Sequence, residues 1–84
     1  MPETTIRLNI RFFAVLREQA GCATLTLETA ASTPAALYAE LQQKRTLTFP
    51  VSLLRVSINE RYAEMSASLG AGDRVVFIPP VAGG

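Results

Sequence analysis

The stretch LGAGDRVVFIPPVAGG, residues 69–84, joins a turn signal to an apolar strand signal. Leu69 to Asp73 has the glycine and aspartate content of a turn. The residues that follow, 74–78, predict a strand, and the run Val75-Val76-Phe77-Ile78 is apolar on both of its faces. A strand that is apolar on both faces is best shielded from water when other strands flank it and a helix layer packs on it. This last strand is therefore expected at the centre of a sheet.

Four other segments have the pattern of β-strands. Residues 6–12 alternate apolar and polar side chains, and so do residues 23–28. A third segment alternates through Leu54, Val56 and Ile58. A turn at Asn59-Glu60 then leads into a short return strand, 61–63, which brings the predicted number of strands to five.

Two helices separate these strands. A short one is predicted over residues 14–20, closed by Gly21 at its C-terminal cap. The main one begins with Thr33 as its N-cap and Pro34 in its first turn. Its apolar stripe consists of Leu37, Tyr38 and Leu41. Residues 45–52 are expected to form a loop, so the order predicts an α+β fold, a mixed five-stranded sheet over one main helix plus a short helix.

The composition excludes several kinds of functional site. The chain has 84 residues, which is the size of one domain, with one cysteine and no histidine. Disulfide frameworks, Cys/His zinc sites and catalytic triads that contain histidine are therefore excluded. Stability has to come from an apolar core, and 49% hydrophobic residues suffice to build one.

Charge and hydropathy predict a soluble cytoplasmic protein. The net charge is +1, and no basic stripe with interleaved aromatic residues is present, so no nucleic-acid partner is expected. The longest apolar run near the N-terminus, 12–16, is too short for a signal peptide or a membrane span, so no membrane partner is expected either.

Three internal features could carry chemistry, and each has a simpler structural explanation. Gly70-Ala71-Gly72 resembles a fragment of a phosphate loop but precedes a strand, so a plain turn is favoured. Glu60 and Glu64 could form a carboxylate pair, although solvated surface charges are favoured. Cys22 could relay sulfur, although a passive small residue is favoured.

The C-terminal residues are the main functional candidate. Pro79 and Pro80 favour an extended path away from the sheet. We therefore divide the chain into a folded domain, 1–80, and a flexible tail, 81–84, which can project about 13 Å at roughly 3.3 Å per residue. Gly83 and Gly84 lack Cβ atoms, so the tail can pass a narrow slot and present its terminal carboxylate.

Three stretches resemble the small subunit of molybdopterin synthase, a sulfur carrier family with the ubiquitin-like β-grasp fold. They are RFFAVLREQAG at 11–21, SINERYAE at 57–64 and LGAGDRVVFIPPVAGG at 69–84. Together with the order of strands and helices, the likeness covers nearly the whole chain. The ending FIPPVAGG, preceded by the Gly-Asp turn, is its most specific part.

The resemblance implies a defined chemistry for the C-terminus. In that family an ATP-using adenylyltransferase, related to the ubiquitin-activating enzymes, adenylates the last glycine, which then becomes a thiocarboxylate. Within a heterotetramer with the large synthase subunit, it donates sulfur to cyclic pyranopterin monophosphate and builds the dithiolene of molybdopterin. In this chain the position that carries the sulfur corresponds to Gly84, and Gly83 has no side chain that would obstruct the channel of the large subunit. Ala82 stands where relatives often have a hydroxyl residue. No cofactor or metal is expected on this chain, and no catalytic site beyond its C-terminus.

Strand parity predicts where a partner would dock. If the apolar side chains of the first strand face the helix, Phe13 faces away from it, and Ile78 does the same on the last strand. In a β-grasp arrangement these two strands are parallel neighbours, so Phe13 and Ile78 are expected beside the exit of the tail. Tyr62 is expected to extend this surface. Pro79 and Pro80 at the end of the domain, and Val81 and Ala82 of the tail, are expected to contact the partner.

Three other functions remain open on the sequence alone. Sulfur carriers for thiazole synthesis also end in two glycines, although they are usually shorter and lack the PPV lead-in. Protein-conjugating modifiers of the same fold form isopeptide bonds with the terminal glycine. An interaction domain with an idle tail is the third alternative.

Overall fold

The computed structural model describes residues 4–80 of the chain. The elements in chain order are β1 (Ile6–Phe12), α1 (Val15–Ala20), β2 (Thr24–Thr29), α2 (Pro34–Lys44), a 3-10 helix (Val51–Leu53), β3 (Arg55–Ile58), β4 (Arg61–Ala63) and β5 (Arg74–Ile78). This confirms the predicted order of five strands, a main helix and a short helix. The 3-10 helix was not predicted, because it is a single turn whose side chains carry no helical pattern.

The five strands form one mixed sheet in the order β2-β1-β5-β3-β4. β1 pairs with β5 in parallel, and the other three pairs are antiparallel. β5 is therefore the central strand, as its two apolar faces predict. Within residues 4–80, no helix is both long and apolar enough to cross a membrane.

The core lies between the inner face of the sheet and α2. The stripe of α2, Leu37, Tyr38 and Leu41, is completely buried, as predicted. Facing it on the sheet are Leu8, Ile10, Phe12, Val56, Val75 and Phe77. The rings of Tyr38 and Phe77 lie 5.2 Å apart at an interplanar angle of 57°, a tilted contact that aromatic pairs favour. Burial raises the pKa of Tyr38, whose hydroxyl donates to the carbonyl oxygen of Phe49 at 2.8 Å.

Side chains and backbone at the helix ends explain where the helices begin and stop. The hydroxyl of Thr33 accepts from the backbone N–H of Ala36 at 3.2 Å and caps α2. Gly21 closes α1 in the left-handed conformation, with φ 81°. Glu40 of α2 accepts a hydrogen bond from Thr29, which holds the pKa of that carboxyl below its usual value. The last contact ties the end of β2 to α2.

Candidate functional site

The glycine-rich segment before β5 is a structural turn. The backbone N–H of Gly70 donates to a carboxylate oxygen of Asp73 at 2.7 Å, and Gly72 has φ 83°. The other oxygen of Asp73 accepts from the amide of Asn59 at 2.9 Å. These bonds close the turn on itself and tie it to the β3–β4 turn, so it is not a phosphate loop.

The other internal candidates do not converge on a site. Glu60 forms an exposed ion pair with Arg74 at 3.1 Å, and Glu64 lies beyond the end of β4 and makes no ion pair within residues 4–80. Cys22 is half-buried, and its Sγ lies 4.0 Å from the carbonyl oxygen of Ala20. Among residues 4–80 there is no cluster of three or more acidic or cysteine side chains that could hold a metal ion.

An apolar groove lies at the C-terminal end of β5, where the chain leaves the sheet. It has a volume of about 520 Å³ and is lined only by apolar residues: Phe13, Ala14, Val15, Phe49, Ile78, Pro79 and Pro80. The structure thus brings Phe13 and Ile78 together, as strand parity predicts, and places the two prolines beside them. Pro79 is buried and forms part of the floor, while Pro80 is exposed.

One wall of the groove comes from a tight reversal between β1 and α1. The backbone N–H of Leu16 donates to the carbonyl oxygen of Phe13 at 3.0 Å, and Ala14 has φ 50° and ψ −126°. These angles belong to the first central position of a type II′ turn. Ala14 therefore does not belong to α1, contrary to the predicted helix 14–20. The reversal leaves the Phe13 side chain 42% exposed at the rim of the groove.

Phe49 is a groove residue that the sequence did not indicate. It lies in the loop after α2, and that loop is held against the core by the hydrogen bond from Tyr38. Two neighbours in the 3-10 helix, Val51 and Leu53, are 41% and 55% exposed. The sequence offers one signal for this contact, the cluster of apolar residues in and next to the predicted loop. That pattern does not show which end of the sheet the loop contacts.

Tyr62 lies on the same face of the sheet as Ile78 but not in the groove. Tyr62 lies on β4, the edge strand, and pairs with Ser57 of β3, so two strand spacings separate it from β5. It is 79% exposed and lines a separate shallow depression with Arg55, Ala63 and others. Tyr62 can therefore contribute to docking only if a partner covers the outer face as far as the sheet edge.

The tail residues predicted to act, Val81, Ala82, Gly83 and Gly84, lie outside the described residues. Pro80, the last described residue, forms part of the groove. The domain boundary predicted at residue 80 therefore stays a prediction.

Comparisons with known proteins point to one family. The model of the ThiS family matches residues 10–84. A Haemophilus influenzae protein named molybdopterin synthase sulfur carrier subunit is 35% identical over 92% of this chain and 99% of its own length.

Solved structures share the fold at lower identity. Small archaeal modifier protein 1 from Haloferax volcanii is 24% identical and has a TM-score of 0.76 over 93% of this chain and 99% of its own. A complex of subunits 1 and 2 of molybdopterin-converting factor from Helicobacter pylori contains a chain that is 24% identical, with a TM-score of 0.67 over 94% of this chain and 100% of its own. The chain therefore belongs to the ThiS family, is related to the molybdopterin synthase sulfur carrier subunits that its sequence resembles, and has the ubiquitin-like β-grasp fold.

Proposed function

We propose that this protein is a sulfur carrier and the small subunit of a molybdopterin synthase. Its relationship to the Haemophilus influenzae sulfur carrier subunit carries the proposal. The apolar groove supports it, because it is a surface that residues 4–80 leave uncovered, directly before the segment 81–84. In this role the protein acts in the cytoplasm, and Gly84 is adenylated by an ATP-using adenylyltransferase, converted to a thiocarboxylate, and delivers its sulfur to cyclic pyranopterin monophosphate.

The groove gives the large subunit a place to hold the carrier. Phe13 and Ile78 are exposed or half-buried in the isolated chain, and covering them on docking removes apolar surface from water at about 25 cal/mol per Å². The known complex of subunits 1 and 2 of molybdopterin-converting factor supports a partner of this kind. Gly83 and Gly84 then enter the partner's active site without side chains that could clash.

Intact-mass analysis tests the terminal chemistry. The chain ending at Gly84 is incubated with ATP, the adenylyltransferase and a sulfur donor, and its mass should rise by the difference between sulfur and oxygen. Fragmentation should place the change on Gly84. The matched control carries one extra residue after Gly84, should melt like the wild type, and should gain no sulfur. An unchanged mass in the wild type, with an adenylyltransferase shown to be active, would refute the carrier function.

The fold similarity to small archaeal modifier protein 1 is the reason to test a second candidate function, protein conjugation. A modifier leaves its C-terminus in an isopeptide bond, whereas a carrier releases a carboxylate after giving up sulfur. Incubating the thiocarboxylated chain with the large subunit and cyclic pyranopterin monophosphate separates these functions. Product formation with return of the original mass supports the synthase, and stable higher-mass conjugates support the modifier. A thiocarboxylate that is consumed only by a thiazole-forming system would support the thiamine pathway.

A further inference from the structure

The arginines on the outer face of the sheet differ in whether they have an acidic partner. Register places four of them on this face, which is the face turned away from α2: Arg7, Arg11, Arg55 and Arg74. Arg7 pairs with Glu28 at 3.2 Å, and Arg74 pairs with Glu60 at 3.1 Å. Within residues 4–80, no carboxylate oxygen lies within 4.0 Å of the guanidinium group of Arg11 or Arg55.

The two unpaired arginines lie at the groove end of the sheet. Arg11 on β1 is opposite Val76, and Arg55 on β3 is opposite Ile78. They thus lie on either side of the last outward-facing residues of β5. The two paired arginines belong to the other end, where β1 and β5 begin. Within residues 4–80, the ion pairs of this face therefore lie at the end away from the groove, and the two arginines at the groove end have no acidic partner.

The position of each free charge is set by its surroundings. The Arg11 guanidinium lies over the ring of Phe13, 5.2 Å from its centroid, which is a cation–π distance. Arg55 lies on β3, which is flanked by β4 and β5. Two strand spacings of about 4.8 Å and two residues of about 3.3 Å along β5 put the two backbone positions about 12 Å apart. Glu64 lines the same depression as Arg55 without forming an ion pair with it.

We propose that Arg11 and Arg55 recognise two carboxylate side chains on the docking partner, placed on either side of the apolar contact made by Phe13 and Ile78. This inference rests on the proposed function, in which that partner is the synthase large subunit. The lack of an acidic partner for either arginine within residues 4–80 and their position beside the apolar groove support it. Because both guanidinium groups are exposed, they act chiefly by steering the encounter and fixing its orientation.

Binding kinetics at two salt concentrations test the proposal. The full chain is bound to the large subunit at roughly 0.05 M and 0.5 M salt, where the screening length falls several-fold. The double variant Arg11→Gln/Arg55→Gln should associate about 3- to 10-fold more slowly at low salt, and its rate should depend less on salt than that of the wild type. Arg11→Lys keeps the charge and should retain most of the wild-type rate.

Arg7→Gln/Arg74→Gln is the matched control, because it removes two positive charges from the same face at the end away from the groove. It should associate within about twofold of the wild type. A wild-type rate and salt dependence in the double variant Arg11→Gln/Arg55→Gln would overturn the proposal, and so would an equal loss in Arg7→Gln/Arg74→Gln. If the wild type itself does not bind the large subunit, the proposed function fails and this inference fails with it. A concentration-dependent homodimer, abolished in Arg11→Gln/Arg55→Gln, would assign the face to a second copy instead.

Discussion

The two ends of β5 differ in how their surroundings are completed. At the beginning of the strand, Asp73 accepts hydrogen bonds from Gly70 and Asn59, and the side-chain oxygen of Asn59 accepts from the backbone N–H of Arg74 at 3.0 Å. At its end, Ile78 and Phe13 present apolar side chains that nothing in residues 4–80 covers fully. We call the beginning of β5 the closed end, because its polar groups form hydrogen bonds within the chain. We call the other end of the strand the open end, because its apolar side chains stay partly exposed.

This difference separates the requirements of folding from those of docking. Hydrogen bonds at the closed end fix the register between the β3–β4 turn and β5 without needing a partner. Exposed apolar side chains at the open end contribute little to the stability of the fold. Covering them with a second protein lowers the free energy of the complex, because it removes apolar surface from water. The distribution of unpaired arginines follows the same division.

Replacing an inward-facing residue of β5 should have the largest effect on stability. Phe77 is completely buried and packs on Tyr38, so Phe77→Ala should lower the free energy of unfolding by about 3–5 kcal/mol. Val76→Ala, at the adjacent outward-facing and half-buried position, should cost less, about 1 kcal/mol. Urea denaturation measures both values. A similar loss in the two variants would show that the two faces of β5 do not differ as described.

An outward-facing substitution at the open end should affect docking instead. Ile78→Lys should change the free energy of unfolding by no more than about 1 kcal/mol, because the side chain is only half-buried and the aliphatic stem of lysine can cover the same surface. Docking on the large subunit should weaken by about 2–4 kcal/mol, since the ammonium group would be buried in an apolar contact opposite Arg55, which carries the same charge. Calorimetric titration measures the affinity. Gln43→Lys makes the same charge change at an exposed position of α2 and should leave the affinity unchanged. Wild-type affinity for Ile78→Lys would place the interface elsewhere.

The sequence predicted the features that depend on local chemistry. The apolar faces of Val75 to Ile78 placed β5 at the centre of the sheet, and Thr33 and Gly21 marked helix ends correctly. Parity placed Phe13 and Ile78 on one surface. It could not place Phe49 in the groove, because that position depends on a hydrogen bond from Tyr38 across the core. It also could not predict the turn at Ala14, since alanine is typical of helices and rare at positive φ.

The closed end should be weakened by removing its carboxylate. Asp73→Ala leaves the N–H of Gly70 and the amide of Asn59 without their acceptor, so the free energy of unfolding should fall by about 1–2 kcal/mol. Asp73→Asn keeps one acceptor oxygen but turns an amide NH2 group toward the second N–H donor, so it should lose a similar amount. Thermal unfolding measures the change. Docking should remain within about threefold of the wild type in both variants, and a large loss of affinity would contradict the division between the two ends.

The smallest expected effect concerns the backbone at the open end. The closed end also contains positive φ values, 53° at Asn59, 73° at Glu60 and 83° at Gly72. Asparagine and glycine tolerate such values, whereas Glu60 adopts its value at some cost. Ala14 has φ 50° and ψ −126°, a conformation that strongly favours glycine. Ala14→Gly should therefore relieve this strain. The greater chain entropy of glycine in the unfolded state offsets part of the gain, so the free energy of unfolding should rise by about 1 kcal/mol.

A matched glycine substitution gives the opposite sign if this explanation is correct. Ala39 is exposed within α2, where glycine costs about 1 kcal/mol relative to alanine. Ala14→Gly should thus melt above the wild type and Ala39→Gly below it, measured under the same conditions. Equal destabilisation by the two variants would mean that the reversal after β1 stores no strain. The Phe13 wall of the groove would then be held by packing alone.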